Sequence, residues 1–248
     1  MKKIIALLLL LSFSLYAKSI NVALAANVSY AIGDLKAAFH KKYPDTRVEI
    51  TLGGSGKLTA QINHGAPYDI FMSANMLYPN ALYKQKLALT QPKIYAKGSL
   101  AILSLRPRDF TKGIALVLDK NIRRIAIANP KIAPYGKASI GALKNAKLYK
   151  KVKSKFIYGE SIAQTVTYAV TAADIGFIAK SALYSSKMTR FKKGRNWTEV
   201  NAKLYTPIAQ GIVILKHAKE STDAKHFYDF ILSKEAKAIF KKYGYNVS

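Results

Sequence analysis

Four short segments of the sequence place asparagine, serine or glycine where an apolar, strand-like run gives way to a helical pattern. These segments are Ala26-Asn27, Gly54-Ser55-Gly56, Pro134-Tyr135-Gly136 and Gly159-Glu160-Ser161-Ile162. A helix start exposes backbone N–H groups and the positive end of the helix dipole, so it binds anions without a formal charge. Each segment alone is also typical of an ordinary N-cap. Four of them around one cleft would enclose a small tetrahedral oxyanion.

The elements that position these segments alternate between strands and helices. Apolar runs at 20–25 (INVALA), 47–52 (RVEITL) and 124–129 (RIAIAN) predict strands. Apolar residues at helical spacing predict helices between them, as at 27–43 and 161–172. This alternation predicts an α/β fold with mostly parallel sheets. Ligands of such sheets bind beyond the carboxyl ends of the strands.

Two weak boundaries divide the chain, near residues 95–99 and 201–207. They bracket a central lobe of residues 97–205. The first lobe is then discontinuous, built from 18–96 and 206–248. Because the chain passes twice between the lobes, we expect the two crossings to form a hinge beside a ligand cleft.

The first 17 residues, MKKIIALLLLLSFSLYA, have the pattern of a secretory leader: two lysines, an apolar run and a small residue, Ala17. The run is shorter than the roughly 18–20 residues that span a bilayer. We predict a signal peptide of residues 1–17; an uncleaved anchor is the alternative. The chain has no cysteine, which excludes disulfides, thiolate metal sites and a lipid-modified cysteine. We therefore expect the mature protein to be free in the periplasm.

The charge is strongly unbalanced, with 40 lysines and arginines against 13 acidic residues and a net charge of +27 over 248 residues. Such a balance favours acidic partners, from nucleic acids to small oxyanions. The basic runs 150–155 (KKVKSK) and 190–195 (RFKKGR) are dense enough for a nucleic-acid patch. They lack a helix-turn-helix pattern, and a secretory leader argues against that role. We expect a solvated basic face and no nucleic-acid partner.

Motifs for catalysis fail when they are compared with the chemistry they require. The GGSGKL run at 53–58 is similar to a phosphate-binding P-loop, but Thr51 and Leu58 stand where that loop needs glycine and a hydroxyl residue. The four histidines are scattered and lack metal-ligand spacing. No GxSxG elbow and no local carboxylate pair is present. We expect no enzymatic activity, no cofactor and no bound metal cation.

Longer runs around the four helix starts resemble the periplasmic molybdate-binding proteins of ABC importers, which have the type II solute-binding fold. The matching runs are AANVSYAIGDL (25–35), GGSGKLTAQINHGAPYDIFMSA (53–74), ANPKIAPYGKAS (128–139), GESIAQT (159–165), ADIGFIAKSAL (173–183) and FYDFILSKEAKAIFKKYGY (227–245). The resemblance covers nearly the whole chain after the leader. It implies a two-lobed α/β protein, a monomer, that binds molybdate or tungstate between its lobes and passes it to a membrane permease.

The resemblance also implies which residues bind the oxyanion. Asn27 matches a first-helix position that is Ser or Asn in the family, and Ser55 matches the serine that donates its hydroxyl and N–H. Tyr135 falls where members have Ala or Tyr, and Ile162 matches an apolar residue that contributes only its backbone N–H. Ala179 departs from the family, because some members have a ligand tyrosine there. The resemblance thus leaves the Tyr135 hydroxyl as the replacement donor.

Three alternatives stay open at this point. The same fold would also suit sulfate, phosphate or ferric iron, although ferric sites usually need several oxyanionic side chains. A secreted phosphatase-type enzyme would need a metal cluster or a nucleophile–base pair. A basic envelope protein that binds nucleic acid or anionic lipid would show a steep salt dependence of affinity.

Overall fold

The computed structural model of the protein describes residues 18–247, over which the chain forms ten strands and eight α-helices. The predicted signal peptide, 1–17, lies outside the described residues. The strands are β1 Lys18–Ala25, β2 Thr46–Gly53, β3 Ile70–Ser73, β4 Lys93–Gly98, β5 Leu100–Leu103, β6 Ile125–Ala128, β7 Phe156–Gly159, β8 Ile175–Ala179, β9 Trp197–Glu199 and β10 Ile208–Ile214. The helices are α1 Ile32–Lys42, α2 Ser55–Asn63, α3 Leu77–Lys84, α4 Pro134–Asn145, α5 Tyr149–Val152, α6 Ile162–Thr171, α7 Thr222–Leu232 and α8 Lys234–Lys242.

The strands form two separate five-stranded sheets. The first has the order β2-β1-β3-β10-β4, and the second has the order β7-β6-β8-β5-β9. In each sheet a central strand, β1 or β6, pairs in parallel with two neighbours. The apolar runs of the central strands β1 and β6 are buried, because helices cover the sheets, whereas β2 at the edge of the first sheet is partly exposed to water.

The chain passes between the sheets twice, from Gly98 to Leu100 and from Glu199 to Ile208. The strands that follow these crossings, β5 and β10, run antiparallel to both of their neighbours. The prediction of mostly parallel sheets is therefore wrong, since each sheet is mixed. A parallel pair needs a crossover connection, usually a helix, and these two strands enter their sheets directly from the other one.

Helices pack on the first sheet through aromatic side chains. Phe39 of α1 meets Phe227 of α7 edge to face, with ring centroids 5.0 Å apart, and Phe240 of α8 lies in the same buried cluster. The α1 helix ends before Pro44, because the residue preceding a proline is disfavoured in helical geometry. Within residues 18–247, no helix has the length and apolar character needed to cross a membrane.

Candidate functional site

All four helix starts meet at one cavity between the two sheets. Asn27, Ser55, Tyr135 and Ile162 line it, together with the backbone that flanks them. Each of the four is buried, with exposed fractions of 0%, 1%, 1% and 4%. A solute cannot reach these residues from water in this conformation. The sequence pattern therefore selected residues that the fold brings together.

Ser55 is the first residue of α2, and the segment that follows β3 holds its side chain in place. Its Oγ accepts a hydrogen bond from the N–H of Ala74 at 2.9 Å. This bond uses a lone pair of the hydroxyl and leaves its proton free for another acceptor. The backbone N–H of Ser55 lies in the first turn, where it has no intrahelical partner. Ser55 thus offers two donors at the cavity.

Ile162 begins α6 behind an N-cap. The Ser161 hydroxyl accepts from the N–H of Gln164 at 3.2 Å, and the Gln164 side chain accepts from the N–H of Glu160 at 2.7 Å. The first bond caps α6, and the second fixes the residue that precedes the cap. The N–H of Ile162 lies in the first turn, where the helix supplies no acceptor for it, and the residue lines the cavity.

Tyr135 follows Pro134, the first residue of α4. Because proline has no N–H, the N–H of Tyr135 is the first donor of this helix. The hydroxyl lies 3.4 Å from Gln210 Nε2 and against the backbone of Gly98, where an added Cβ would be 2.0 Å away. Burial raises the pKa of this hydroxyl well above its ordinary value near 10. The hydroxyl is neutral and lies at the crossing between the sheets; its predicted contact with an oxyanion stays a prediction.

Asn27 is fixed by residues that come late in the chain. Its Nδ2 donates to Gln210 Oε1 at 2.7 Å and to the Tyr245 hydroxyl at 2.9 Å. Its backbone oxygen accepts from the Tyr245 and Ser181 hydroxyls at 2.8 and 3.1 Å. Among the described residues, Asn27 Oδ1 has no partner. Ala179, the last residue of β8, is fully buried and has no side-chain donor.

Gln210 and Tyr245 were missed by the sequence analysis. Gln210 is a fully buried polar residue inside the apolar strand β10, and a buried amide needs partners. That isolated glutamine was a usable signal. Tyr245 carries no local signal, because it meets Asn27 across 218 positions of sequence.

The cavity is electrically neutral. Among the residues that the structure describes, no charged side chain lines it, and no group of three or more metal-ligating side chains is present. Lys57 and Glu160 form an exposed pair across the cleft, with Nζ and Oε2 3.6 Å apart. Lys57 is therefore a surface lysine, and the donors at the cavity are hydroxyl and N–H dipoles.

The two sides of the cleft are in direct backbone contact. The N–H of Gly56 donates to the carbonyl of Ile132 at 2.9 Å. A Cβ on Gly56 would lie 3.0 Å from Ile132 Cα and 3.1 Å from its oxygen. Glycine is required for this approach, and the cleft is closed along this line.

A family model described as bacterial extracellular solute-binding protein matches residues 20–246. The chain belongs to this family. Two relatives are molybdate-binding ModA proteins: that of Azotobacter vinelandii is 34% identical over 243 residues, covering 96% of this chain and 94% of its own. That of Rhodobacter capsulatus is 34% identical over 244 residues, covering 97% and 93%. The solved Azotobacter vinelandii periplasmic molybdate-binding protein superposes with a TM-score of 0.85 at 31% identity, over 92% of this chain and 99% of its own.

These similarities confirm the resemblance drawn from the sequence runs and the two-lobed α/β fold of periplasmic binding proteins. The lobe limits and the ligand roles of Asn27, Ser55, Tyr135 and Ile162 stay predictions.

Proposed function

We propose that this protein captures molybdate, and tungstate with it, in the cavity between its lobes and delivers the anion to an ABC importer. The observation that carries the proposal is the convergence of Asn27, Ser55, Tyr135 and Ile162 on one buried, neutral cavity. The relatives named as molybdate-binding supply the identity of the anion. Nothing in this role requires catalysis or a cofactor.

The donor set suits a tetrahedral dianion. Ser55 contributes its hydroxyl proton and N–H, and Tyr135 and Ile162 contribute backbone N–H groups at helix starts. Fixed dipoles at such sites stabilise negative charge without a counter-ion. Sulfate has the same charge and shape class, so the size of the cavity must discriminate it from molybdate.

Capture requires that the lobes separate and close. We take the lobes to be 18–96 with 206–248, and 97–205, hinged where the chain crosses between the sheets. Entry of the anion opens the contact between Gly56 and Ile132, and closure restores it. The closed protein, a monomer in the periplasm, then docks on the permease. The net charge, +27 over the full chain and +25 without Lys2 and Lys3 of the leader, attracts the dianion from a distance.

A thermal-shift panel with molybdate, tungstate, sulfate and phosphate tests the proposal. Ligand at 100 times its dissociation constant adds about 2.7 kcal/mol to the free energy of unfolding, a rise in melting temperature of several degrees for a chain of this size. Molybdate and tungstate should give this rise, and sulfate should give little at equal concentration. A rise with sulfate alone would assign the cavity to sulfate instead.

A further inference from the structure

An unpaired buried oxygen belongs to Asn27, one of the residues that line the cavity. Asn27 is fully buried and lines the cavity, yet its Oδ1 has no hydrogen-bond partner among residues 18–247. A buried amide oxygen normally has a partner. A fully ionised oxyanion carries only acceptor oxygens, so it cannot satisfy this atom and is repelled by it.

Gln210 and Tyr245 both contact the Asn27 amide, but the Tyr245 hydroxyl can accept or donate, so it suits either orientation of the amide. Gln210 Oε1 accepts from Asn27 Nδ2 at 2.7 Å and from the Tyr95 hydroxyl at 2.8 Å. Gln210 Nε2 donates to the Tyr135 hydroxyl at 3.4 Å. The Gln210 amide therefore joins the two sides of the cleft, with Asn27 on one side and Tyr135 on the other.

Turning both amides by half a turn gives Asn27 Oδ1 a partner and keeps both Gln210 amide atoms paired. Asn27 Oδ1 then accepts from Gln210 Nε2 over the same 2.7 Å separation. Gln210 Oε1 accepts from the Tyr135 hydroxyl, which becomes the donor. Asn27 Nδ2 takes the position of the unpaired oxygen and gives the cavity an additional N–H donor.

The surrounding hydroxyls accommodate the turned amides without moving. Tyr95 accepts from Gln210 Nε2 and directs its own proton to the carbonyl of Ser73, 3.3 Å away. The Tyr245 hydroxyl transfers its hydrogen bond from the Asn27 backbone oxygen to Asn27 Oδ1, while the Ser181 hydroxyl keeps its bond to that backbone oxygen. Hydroxyl protons rotate to suit their partners.

We propose that Gln210 is a positioning residue for oxyanion selectivity: it holds the Asn27 amide with its NH2 group toward the anion, and Tyr135 in turn holds Gln210. This inference rests on the proposed function. Its consequence concerns protonation of the ligand. Hydrogen phosphate carries an O–H that needs an acceptor, which the turned Asn27 amide does not offer. Fully ionised molybdate needs only donors, which the turned amide supplies.

The fold makes specific room for the Gln210–Tyr135 contact. Gly98 ends β4 at the first crossing between the sheets. A Cβ there would lie 2.0 Å from the Tyr135 hydroxyl oxygen and 2.8 Å from Gln210 Nε2. Any other residue at 98 would separate the two groups, so the absence of a side chain permits their contact.

The test is calorimetric titration of molybdate and of phosphate into the leader-free protein. The variants are Gln210→Met, Tyr135→Phe and the double variant, with Tyr205→Phe as a matched control. Tyr205 is another buried tyrosine at the crossing, and its hydroxyl accepts from the N–H of Leu100 rather than contacting the amides.

We expect Gln210→Met to lower molybdate affinity about tenfold, or about 1.4 kcal/mol, and to lower the molybdate-to-phosphate affinity ratio by a similar factor. Tyr135→Phe should lower molybdate affinity about threefold in the wild-type background and not at all in Gln210→Met, because it acts through Gln210. Tyr205→Phe should leave both affinities unchanged. If Gln210→Met does not fold, Tyr135→Phe alone still tests the inference, because it should also lower the molybdate-to-phosphate affinity ratio.

A nuclear magnetic resonance spectrum of the side-chain amides supplies a measurement that would not change if Gln210 had only a structural role. With molybdate bound, the Asn27 amide protons should lose their nuclear Overhauser contact with the Tyr245 ring. Persistence of that contact, wild-type molybdate affinity in Gln210→Met, or an equal effect of Tyr135→Phe in both backgrounds would overturn the inference while leaving the proposed function intact. A wild-type protein that binds no molybdate would refute the proposed function itself.

Discussion

The Gly56→Ala substitution separates closure of the cleft from stability of the fold. Gly56 is the second residue of α2, where alanine favours the helix by up to about 1 kcal/mol. The added Cβ would lie 2.7 Å from the Tyr78 hydroxyl, the end of a side chain that can turn aside, and 3.0 Å from Ile132 Cα and 3.1 Å from its oxygen, which are backbone atoms. The contacting lobe must then move outward by a few tenths of an ångström, which stretches the 2.9 Å Gly56–Ile132 hydrogen bond.

Complete loss of that bond sets the upper limit of the effect, because stretching only weakens it. A net contribution of about 0.5–1.5 kcal/mol corresponds to a decrease in molybdate affinity of roughly 2- to 12-fold. The melting temperature of the ligand-free protein should stay the same or rise. Affinity and stability therefore change in opposite directions, which general destabilisation would not produce.

Gly33→Ala is the matched control for this substitution. Gly33 lies in the first turn of α1, is exposed, and has nothing within 4 Å of an added Cβ. It should gain the same helical stability and keep wild-type molybdate affinity in calorimetric titration. Wild-type affinity in Gly56→Ala would refute the reasoning, because it would show that the cleft does not close along the Gly56–Ile132 contact.

Three further predictions concern the donors, the charge and the buried tyrosines. Ser55→Ala should lower molybdate affinity by about 10- to 150-fold in calorimetric titration, because hydrogen bonds to charged groups contribute roughly 1.5–3 kcal/mol. Rising salt should slow the association of molybdate, measured by Trp197 fluorescence in stopped flow, more than it changes the equilibrium affinity. An association rate independent of salt would exclude electrostatic steering. Burial raises the pKa values of Tyr95, Tyr135 and Tyr245, so their contribution to stability is complete below pH 10 and is lost as the pH rises above it; melting temperatures that stay constant from pH 9 to 11 would contradict this.

Local pattern was sufficient to find the residues of the cavity but not their partners. Helix starts are visible in sequence because caps and strand ends are formed by neighbouring residues, as at Ser55 and Ile162. Asn27 was found in the same way, but the contacts that orient its amide come from Gln210 and Tyr245, which are 183 and 218 positions away. Contacts of that kind depend on how the sheets assemble, and one sequence does not specify them.

The same distinction holds for the fold. The alternating strands and helices were evident from their periodicity, and the helical spacing of residues 222–243 fits one helix or two. The structure has two, because Ser233 ends α7 and caps α8 by accepting from the N–H of Ala236. The direction of β5 and β10 depends on how the chain enters each sheet after a crossing, and no periodicity encodes it.

The most direct test of the central claim is a crystal structure of the leader-free protein grown with molybdate, with data recorded at the molybdenum absorption edge. Molybdenum scatters anomalously, so its position does not depend on interpretation of the surrounding density. The account predicts one strong anomalous peak between the α2 and α6 starts, with oxyanion oxygens within hydrogen-bond distance of Ser55 and the N–H of Ile162. A peak elsewhere, or none in the cavity at saturating molybdate, would contradict it.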